Sequence, residues 1–211
     1  MSLFTDKAPG IMDRLMRDFN LSTADAAAIL GNLGHESAGF EKLQEIRPTV
    51  KGSRGGYGWA QWTGPRRKAF EAYARELGLD ISSDEANYRF LAYELKTTEA
   101  GAIRSVRAAR GMSAKIEAFE ETFERAGVKN YASRERYAAL ALNAYLAAKA
   151  AQSPVTAMPP PPDIPTPETH VGGSQRPGNG IWAAGGGIAG ILAIIAGLAW
   201  DKIEAFFGNL F

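Results

Sequence analysis

Apolar residues recur at helical spacing along most of the first 152 residues. In the segment TADAAAILGNLGHES, the apolar positions advance in steps of three and four along one helix face: Ala26, Ile29, Leu30 and Leu33. Ser22 or Thr23 can cap this helix. Four further amphipathic segments each follow a residue that can begin a helix: Pro65, Ser82, Ser113 and Ser133. We therefore predict a mainly α-helical domain over residues 1–152.

A stretch rich in glycine and aromatic residues, RPTVKGSRGGYGWAQWTG, interrupts the helical pattern. Its turns and short alternating runs predict a small β-hairpin or an irregular lobe. In an alternating strand, Tyr57, Trp59 and Gln61 would share one face and Trp62 would lie opposite. At least one of the two tryptophans is therefore expected in the core.

The last part of the chain has a different character. Residues 153–180 are rich in Pro and then in Gly, which predicts an extended linker. Residues 181–200 carry no charge and are long enough to cross a bilayer as a helix, and residues 201–211 form an amphipathic tail. Gly186 and Gly190 could support helix–helix self-association. The alternative for 181–200 is a buried hairpin or a peptide that lies on the membrane surface.

Composition excludes several kinds of chemistry. The chain has no cysteine and only two histidines, His35 and His170, which excludes thiol nucleophiles and argues against a zinc site. It also lacks a G-x-S-x-G nucleophile motif. The net charge of +1 is too small to indicate a nucleic-acid partner. We predict no metal and no cofactor, and the remaining candidates for catalysis are carboxyl groups.

Glu36 is the strongest of these candidates. The steps of three and four that begin at Ala26 lead to Glu36, so it lies on the apolar face at the end of its helix. A carboxyl group in apolar surroundings tends to keep its proton, as a general acid must. The alternative is a buried glutamate paired with one of four arginines: Arg47, Arg54, Arg66 or Arg67. His35 points about 100° away and is expected to hydrogen-bond a loop.

The aromatic stretch supplies a plausible wall for a cleft beside Glu36. Sugar rings bind to flat apolar faces together with hydrogen-bond donors. Tyr57, Trp59, Gln61 and Trp62 offer these groups among glycines that allow close approach of a ligand. Ordinary core packing is the alternative for the tryptophans.

Four ordered motifs give the chain a family resemblance: AAAILGNLGHESAGF, GGYGWAQWTGPRRKAF, FLAYEL and FEETFERAG. Over residues 10 to 140 the chain resembles the phage tail lysozymes of the lysozyme-like superfamily. The resemblance implies an α+β lysozyme-like fold and cleavage of peptidoglycan between N-acetylmuramic acid and N-acetylglucosamine. It assigns Glu36 as the catalytic acid of an N-L-x-x-E-S motif. It also assigns Gln61 and Trp62 to a G-x-x-Q-W motif that lines the cleft.

The resemblance suggests a second carboxylate as well. Some phage lysozymes hold the attacking water with an acidic residue and a threonine after the catalytic acid. Here Glu45 and Thr49 could play those parts, although Thr49 comes earlier than in that pattern. A solvated loop charge is the alternative for Glu45. Glu36 could also act alone, as in lytic transglycosylases, which form anhydro products.

These observations predict a phage endolysin whose domain reaches the periplasmic cell wall from a C-terminal anchor in the host inner membrane. No cleaved secretion signal is predicted at the N-terminus. Three alternatives stay open. They are a non-catalytic peptidoglycan-binding or virion structural module, a virion-borne enzyme, and a membrane-permeabilising factor that acts through residues 181–211.

Overall fold

The computed structural model describes residues 2–48 and 52–152, and these residues are mainly helical, as the sequence predicts. They form seven α-helices: α1 (Leu3–Phe19), α2 (Thr23–Glu36), α3 (Gly64–Glu76), α4 (Asp84–Lys96), α5 (Ala100–Ala108), α6 (Met112–Phe119) and α7 (Tyr131–Gln152). A short π-helical segment, Glu120–Glu124, continues directly from α6. Helices α1 and α5 have no counterpart among the predicted segments.

Local hydrogen bonds explain where the helices begin. Ser22 caps α2, and its side chain and that of Asp25 form a reciprocal capping box. Three other predicted starts are displaced by one to three residues. Ser83 caps α4 in place of Ser82, α6 already begins at Met112, and α7 begins at Tyr131.

Helix α2 is buried along most of its length and packs closely against α7. Gly31 makes this approach possible, since a Cβ atom there would lie 2.6 Å from the carbonyl oxygen of Arg134. A Cβ atom on Gly34 would lie 2.7 Å from the ring of Phe4 and 2.8 Å from that of Tyr137. The two glycines of the segment GNLGHES therefore bring the first turns of α7 beside the last turns of α2.

The segment between α2 and α3 forms an irregular lobe. Its described residues contain two isolated antiparallel bridges, Gln44 with Tyr57 and Tyr57 with Trp62, and no extended strand. The prediction left a hairpin and an irregular lobe open, and the structure has the second. Gly58 has a φ of 81°, and a Cβ atom there would lie 2.6 Å from Oδ1 of Asn87, so this turn needs glycine.

The predicted linker 153–180, membrane span 181–200 and tail 201–211 lie outside the described residues. Within the part of the chain that the structure describes, none of the helices has the length and apolar character needed to cross a membrane.

Candidate active site

Glu36 is the last residue of α2, and its side chain, 20% exposed, borders a cleft. The chain turns sharply after it, because the Ser37 hydroxyl donates to the Leu33 carbonyl oxygen and accepts from the Phe40 amide. Ser37 is buried, so this turn is part of the packed interior. The carboxyl group of Glu36 is thus carried by a rigid element at the border between core and solvent.

The partner of Glu36 is Arg134, which is fully buried. One guanidinium nitrogen donates to Oε1 of Glu36 at 2.6 Å, and another donates to Oδ1 of Asn32 at 2.8 Å. Asn32 in turn donates to the carbonyl oxygens of Ala28 and Ile116, which orients its amide. None of the four arginines considered from the sequence pairs with Glu36, and three of them pair with other glutamates: Arg54 and Arg67 with Glu71, and Arg66 with Glu94. Arg134 reaches Glu36 through the close packing of α2 and α7.

The cleft has a volume of about 490 Å³, within the usual range for ligand sites. Its wall combines acidic, basic and amide groups with one strongly exposed apolar side chain, that of Ile46, at 84%. The lining residues come from the end of α2 and from the irregular lobe: His35, Glu36, Ala38, Lys42, Gln44, Glu45, Ile46, Arg47 and Gln61.

Glu45 lines the same cleft as Glu36 and is half-buried. Its carboxylate accepts a hydrogen bond from the Gly56 amide at 2.8 Å, and its own amide donates to the Gly56 carbonyl oxygen at 2.9 Å. Arg67 supports this wall from behind, because its guanidinium donates to the carbonyl oxygens of Arg54 and Gly55. Glu45 is therefore anchored to the lobe at one carboxylate oxygen.

Gln61 also borders the cleft, but its side-chain amide is engaged by the protein. It adopts a left-handed backbone conformation with a φ of 45°. Its Nε2 atom donates to the carbonyl oxygens of Lys42, Leu43 and Gly58, at 3.1, 3.1 and 3.0 Å. Gln61 therefore holds the two sides of the lobe together at the cleft wall.

The aromatic residues proposed to stack on sugar rings lie elsewhere. Trp59 and Trp62 are each 1% exposed, so both lie in the core, where the sequence predicts at least one of them. Phe40 covers Trp59, and two phenylalanines, Phe70 and Phe90, cover Trp62. Tyr57 is half-buried beneath Arg67 and does not line the cleft. Thr49 lies outside the described residues.

Trp62 belongs to a polar network behind the cleft. Its Nε1 atom donates to the buried carboxylate of Glu94 at 2.7 Å. The Arg66 guanidinium donates to both oxygens of the same carboxylate at 2.8 Å, and to the Phe123 carbonyl oxygen. This network joins three of the four motifs, because Trp62, Glu94 and Phe123 come from three of the quoted segments.

Glu124, in the π-helical segment, is a polar neighbour that the sequence reasoning missed. Burial holds the pKa of its carboxyl group well above the ordinary value. The Glu36 carboxylate raises this pKa further, whereas Arg66 and Arg134 lower it. A signal was present in the sequence, because Ile116, Glu120 and Glu124 advance in steps of four along one face. Glu124 therefore faces the same interior as the neighbouring motifs.

His35 lines the cleft, and its Nδ1 atom lies 3.0 Å from the hydroxyl oxygen of Ser133. Burial lowers the pKa of His35 below its ordinary value of 6.5, and the Arg134 guanidinium lowers it further. The side chain is therefore neutral near pH 7. No group of three or more acidic or histidine side chains suited to a metal ion occurs within residues 2–48 and 52–152.

Comparison with known proteins gives one finding. The family model for phage tail lysozymes matches residues 6–145, whereas no curated protein and no solved structure matches the chain. The matched segment contains Glu36, Glu45, Glu124 and Arg134, so the cleft and the polar groups behind it lie inside the family's region. Because the match extends over more than half of the 211 residues, this chain belongs to the phage tail lysozyme family.

Proposed function

We propose that this protein cleaves the β-1,4 bond between N-acetylmuramic acid and N-acetylglucosamine in peptidoglycan, with Glu36 as general acid. The observation that carries the proposal is the position of the Glu36 carboxyl group. It opens into a ligand-sized cleft while Arg134 and the end of α2 hold it from the buried side. A rigidly held carboxyl group beside a glycan strand can protonate the leaving oxygen.

Glu45 is the candidate for the second catalytic group. An inverting hydrolase uses a second carboxylate as a base that activates a water molecule, about 6.5–9.5 Å from the acid. The Gly56 amide fixes one oxygen of Glu45, and this anchoring favours a positioned base over a mobile loop charge. In a lytic transglycosylase, the substrate would complete the reaction itself and Glu45 would not be needed.

The test is the release of muropeptides from purified cell walls by the full chain and by Glu36→Gln. General acid catalysis contributes about 10²–10⁴-fold, so we expect a loss in that range. Glu41→Gln is the matched control, since Glu41 is an exposed glutamate five residues after Glu36, in the turn that follows α2, and does not line the cleft. A Glu36→Gln protein that digests walls as fast as the parent would exclude Glu36 as the acid. Loss of hydrolysis without loss of wall binding would separate an enzyme from a binding module.

The products separate the two mechanisms. Mass spectrometry of the released muropeptides should find reducing ends if water attacks, and anhydro ends if the sugar attacks itself. We expect reducing ends and a strong loss of rate in Glu45→Gln. Anhydro ends together with an active Glu45→Gln protein would instead identify a transglycosylase.

We also propose that residues 181–200 anchor the protein in the host inner membrane, so that the domain acts on the periplasmic wall. The uncharged length of this segment supports the proposal. Deletion of residues 181–211 should move the protein from the membrane fraction to the soluble fraction of expressing cells. Unchanged membrane partition after the deletion would contradict it, and loss of cell killing with full wall digestion would favour a permeabilising role.

A further inference from the structure

Three carboxyl groups and two guanidinium groups meet in the interior behind the cleft. The charged side chains that act on the Glu124 carboxyl group include Glu36 on α2, Arg66 on α3, Glu94 on α4 and Arg134 on α7. Arg125 also interacts with Glu124, but its charge is compensated by its ion pair with Glu99. If all three carboxyl groups were ionised, the cluster would carry one uncompensated negative charge. A buried net charge is costly, and protonation of one carboxyl group removes it.

The hydrogen bonds indicate which carboxyl group is left over. Arg66 and Trp62 satisfy both oxygens of Glu94, and Arg134 donates to Glu36. Within the described residues, two buried side-chain polar atoms have no hydrogen-bond partner: Oε1 of Glu124 and Nε of Arg134. Both belong to this cluster. Arg134 thus retains one buried donor beyond those that serve Glu36 and Asn32, and Glu124 retains one buried acceptor.

We propose that Glu124 and Glu36 share one proton, which Glu124 holds in the free enzyme and Glu36 receives for catalysis. The inference rests on the proposed role of Glu36 as general acid. Glu124 does not line the cleft, so it acts through Glu36 as a positioning residue for the proton. Either arrangement leaves two carboxylates against two guanidinium groups, so the transfer creates no net charge in the interior.

The proton is conserved through the cycle. When Glu124 loses its proton, Glu36 gains one, and Arg134 keeps its charge throughout. Glu36 then gives the proton to the glycosidic oxygen as the bond to the sugar breaks. In a hydrolase, the attacking water gives a proton to Glu45, which releases it to solvent, and Glu36 takes a proton back from solvent at the open cleft. In a transglycosylase, the attacking sugar hydroxyl returns its proton to Glu36 directly. The shared proton thus gives Glu36, which accepts a hydrogen bond from the buried Arg134, the proton that a general acid must deliver.

The test is the pH dependence of wall digestion by the full chain and by Glu124→Gln. Glutamine has the shape of the neutral acid but cannot supply a charge or a proton. Without a carboxylate to compete for Arg134, Glu36 should stay protonated only at lower pH. We expect the alkaline limb of the rate profile to move down by about 1–3 pH units, with the greatest loss of rate near neutral pH.

Glu121→Gln is the matched control, because Glu121 lies in the same π-helical segment but is exposed and paired with Lys129. Its profile should coincide with that of the parent. A Glu124→Gln profile that also coincides with the parent overturns the inference. Glu36→Gln distinguishes the two proposals. If that variant digests cell walls as the parent does, Glu36 is not the acid. If it is inactive while the pH profile of Glu124→Gln is unshifted, only the shared proton is contradicted.

A second measurement does not depend on the folding of Glu124→Gln. In the full chain labelled with ¹³C at glutamate side-chain carboxyl carbons, one resonance should keep the chemical shift of a protonated acid at neutral pH. In Glu36→Gln this resonance should move to the ionised position, since Glu124 is then the remaining carboxylate for Arg134. Spectra in which every glutamate of the parent is ionised at neutral pH would overturn the inference.

Discussion

Two arginine–carboxylate pairs lie behind the same cleft, and they are built in opposite ways. In the pair of Arg66 and Glu94, the carboxylate is buried, the arginine is partly exposed, and both carboxylate oxygens have donors. In the pair of Arg134 and Glu36, the arginine is fully buried, the carboxylate faces the cleft, and one donor of the arginine is unused.

The difference separates a structural pair from one suited to chemistry. A fully satisfied buried network stabilises one arrangement and resists change. Arg134 has an unused donor, and the Glu124 carboxyl group has an unpaired oxygen in the same cluster. Arg134 can therefore exchange one carboxylate partner for the other without a change in net charge. The network of Arg66, Glu94 and Trp62 thus joins three motifs into a scaffold, and the pair of Arg134 and Glu36 places the proposed acid on it.

The largest expected effect tests the structural pair. Arg66→Met should lower the free energy of unfolding by about 3–5 kcal/mol, because it leaves the buried carboxylate of Glu94 with the Trp62 hydrogen bond but without its compensating positive charge. Urea denaturation of the full chain measures this loss. Arg89→Met provides the comparison, since its pair with Glu85 is exposed and should be worth less than about 1 kcal/mol. Equal losses of unfolding free energy in both variants would show that burial of the Arg66–Glu94 pair makes it no more important for stability than the exposed Arg89–Glu85 pair.

The second prediction concerns the pair of Arg134 and Glu36. Glu36→Gln alone should cost less than about 1.5 kcal/mol of unfolding free energy, because Glu124 can ionise and take its place beside Arg134. Combined with Glu124→Gln, the loss should exceed the sum of the single effects by about 1–3 kcal/mol, since the buried arginine then has no carboxylate. A double-mutant cycle by urea denaturation measures this coupling, and additive effects would mean that the two carboxyl groups act independently.

The third prediction follows from the raised pKa of Glu124. At a pH above 4.5, the ordinary pKa of a glutamate, the Glu124 carboxyl group has lost its proton in the unfolded chain but retains it in the folded one. The folded state then binds more protons, so this group makes stability fall as pH rises from 4.5 toward the folded pKa. The slope is at most about 1.4 kcal/mol per pH unit. Thermal unfolding of parent and Glu124→Gln should diverge over this range in favour of glutamine, and parallel curves would contradict the buried proton.

The smallest effect concerns His35, which lines the cleft beside Glu36. Its pKa is lowered in the folded state, so below 6.5 the unfolded chain takes up a proton that the folded chain does not. Its contribution to stability is therefore lost as pH falls from 6.5 through the folded pKa. His35→Asn should remove less than about 1 kcal/mol of this dependence. Identical acid dependence in parent and variant would show that the ring titrates as in the unfolded chain.

The helical class and the position of Glu36 could be predicted because both follow from local pattern. The apolar steps of α2 and the cap at Ser22 are properties of neighbouring residues, and they place Glu36 at a helix end beside a loop. The role of the glycines was only partly visible. Glycine is a weak helix former, so local pattern gives no reason for Gly31 within α2. Its absent side chain is what allows α7 to pack closely against α2.

The environments of the two tryptophans could not be predicted from the stretch that contains them. Alternation places side chains on faces, but it does not say what covers each face. Phe40 closes over Trp59, and residues of α3 and α4 close over Trp62. The cleft therefore presents charged and amide groups together with Ile46 in place of those two indole rings.

By itself, the sequence determined five of the seven described helices and a carboxyl group at the end of the apolar face of α2, since each depends on residues a few positions apart. Only the tertiary structure decided the partners of that carboxyl group. Arg134 lies 98 positions away in sequence, and Glu124 approaches from a third element. The protonation of a buried carboxyl group depends on the sum of nearby charges and lost solvation, and that sum exists only once the helices have packed.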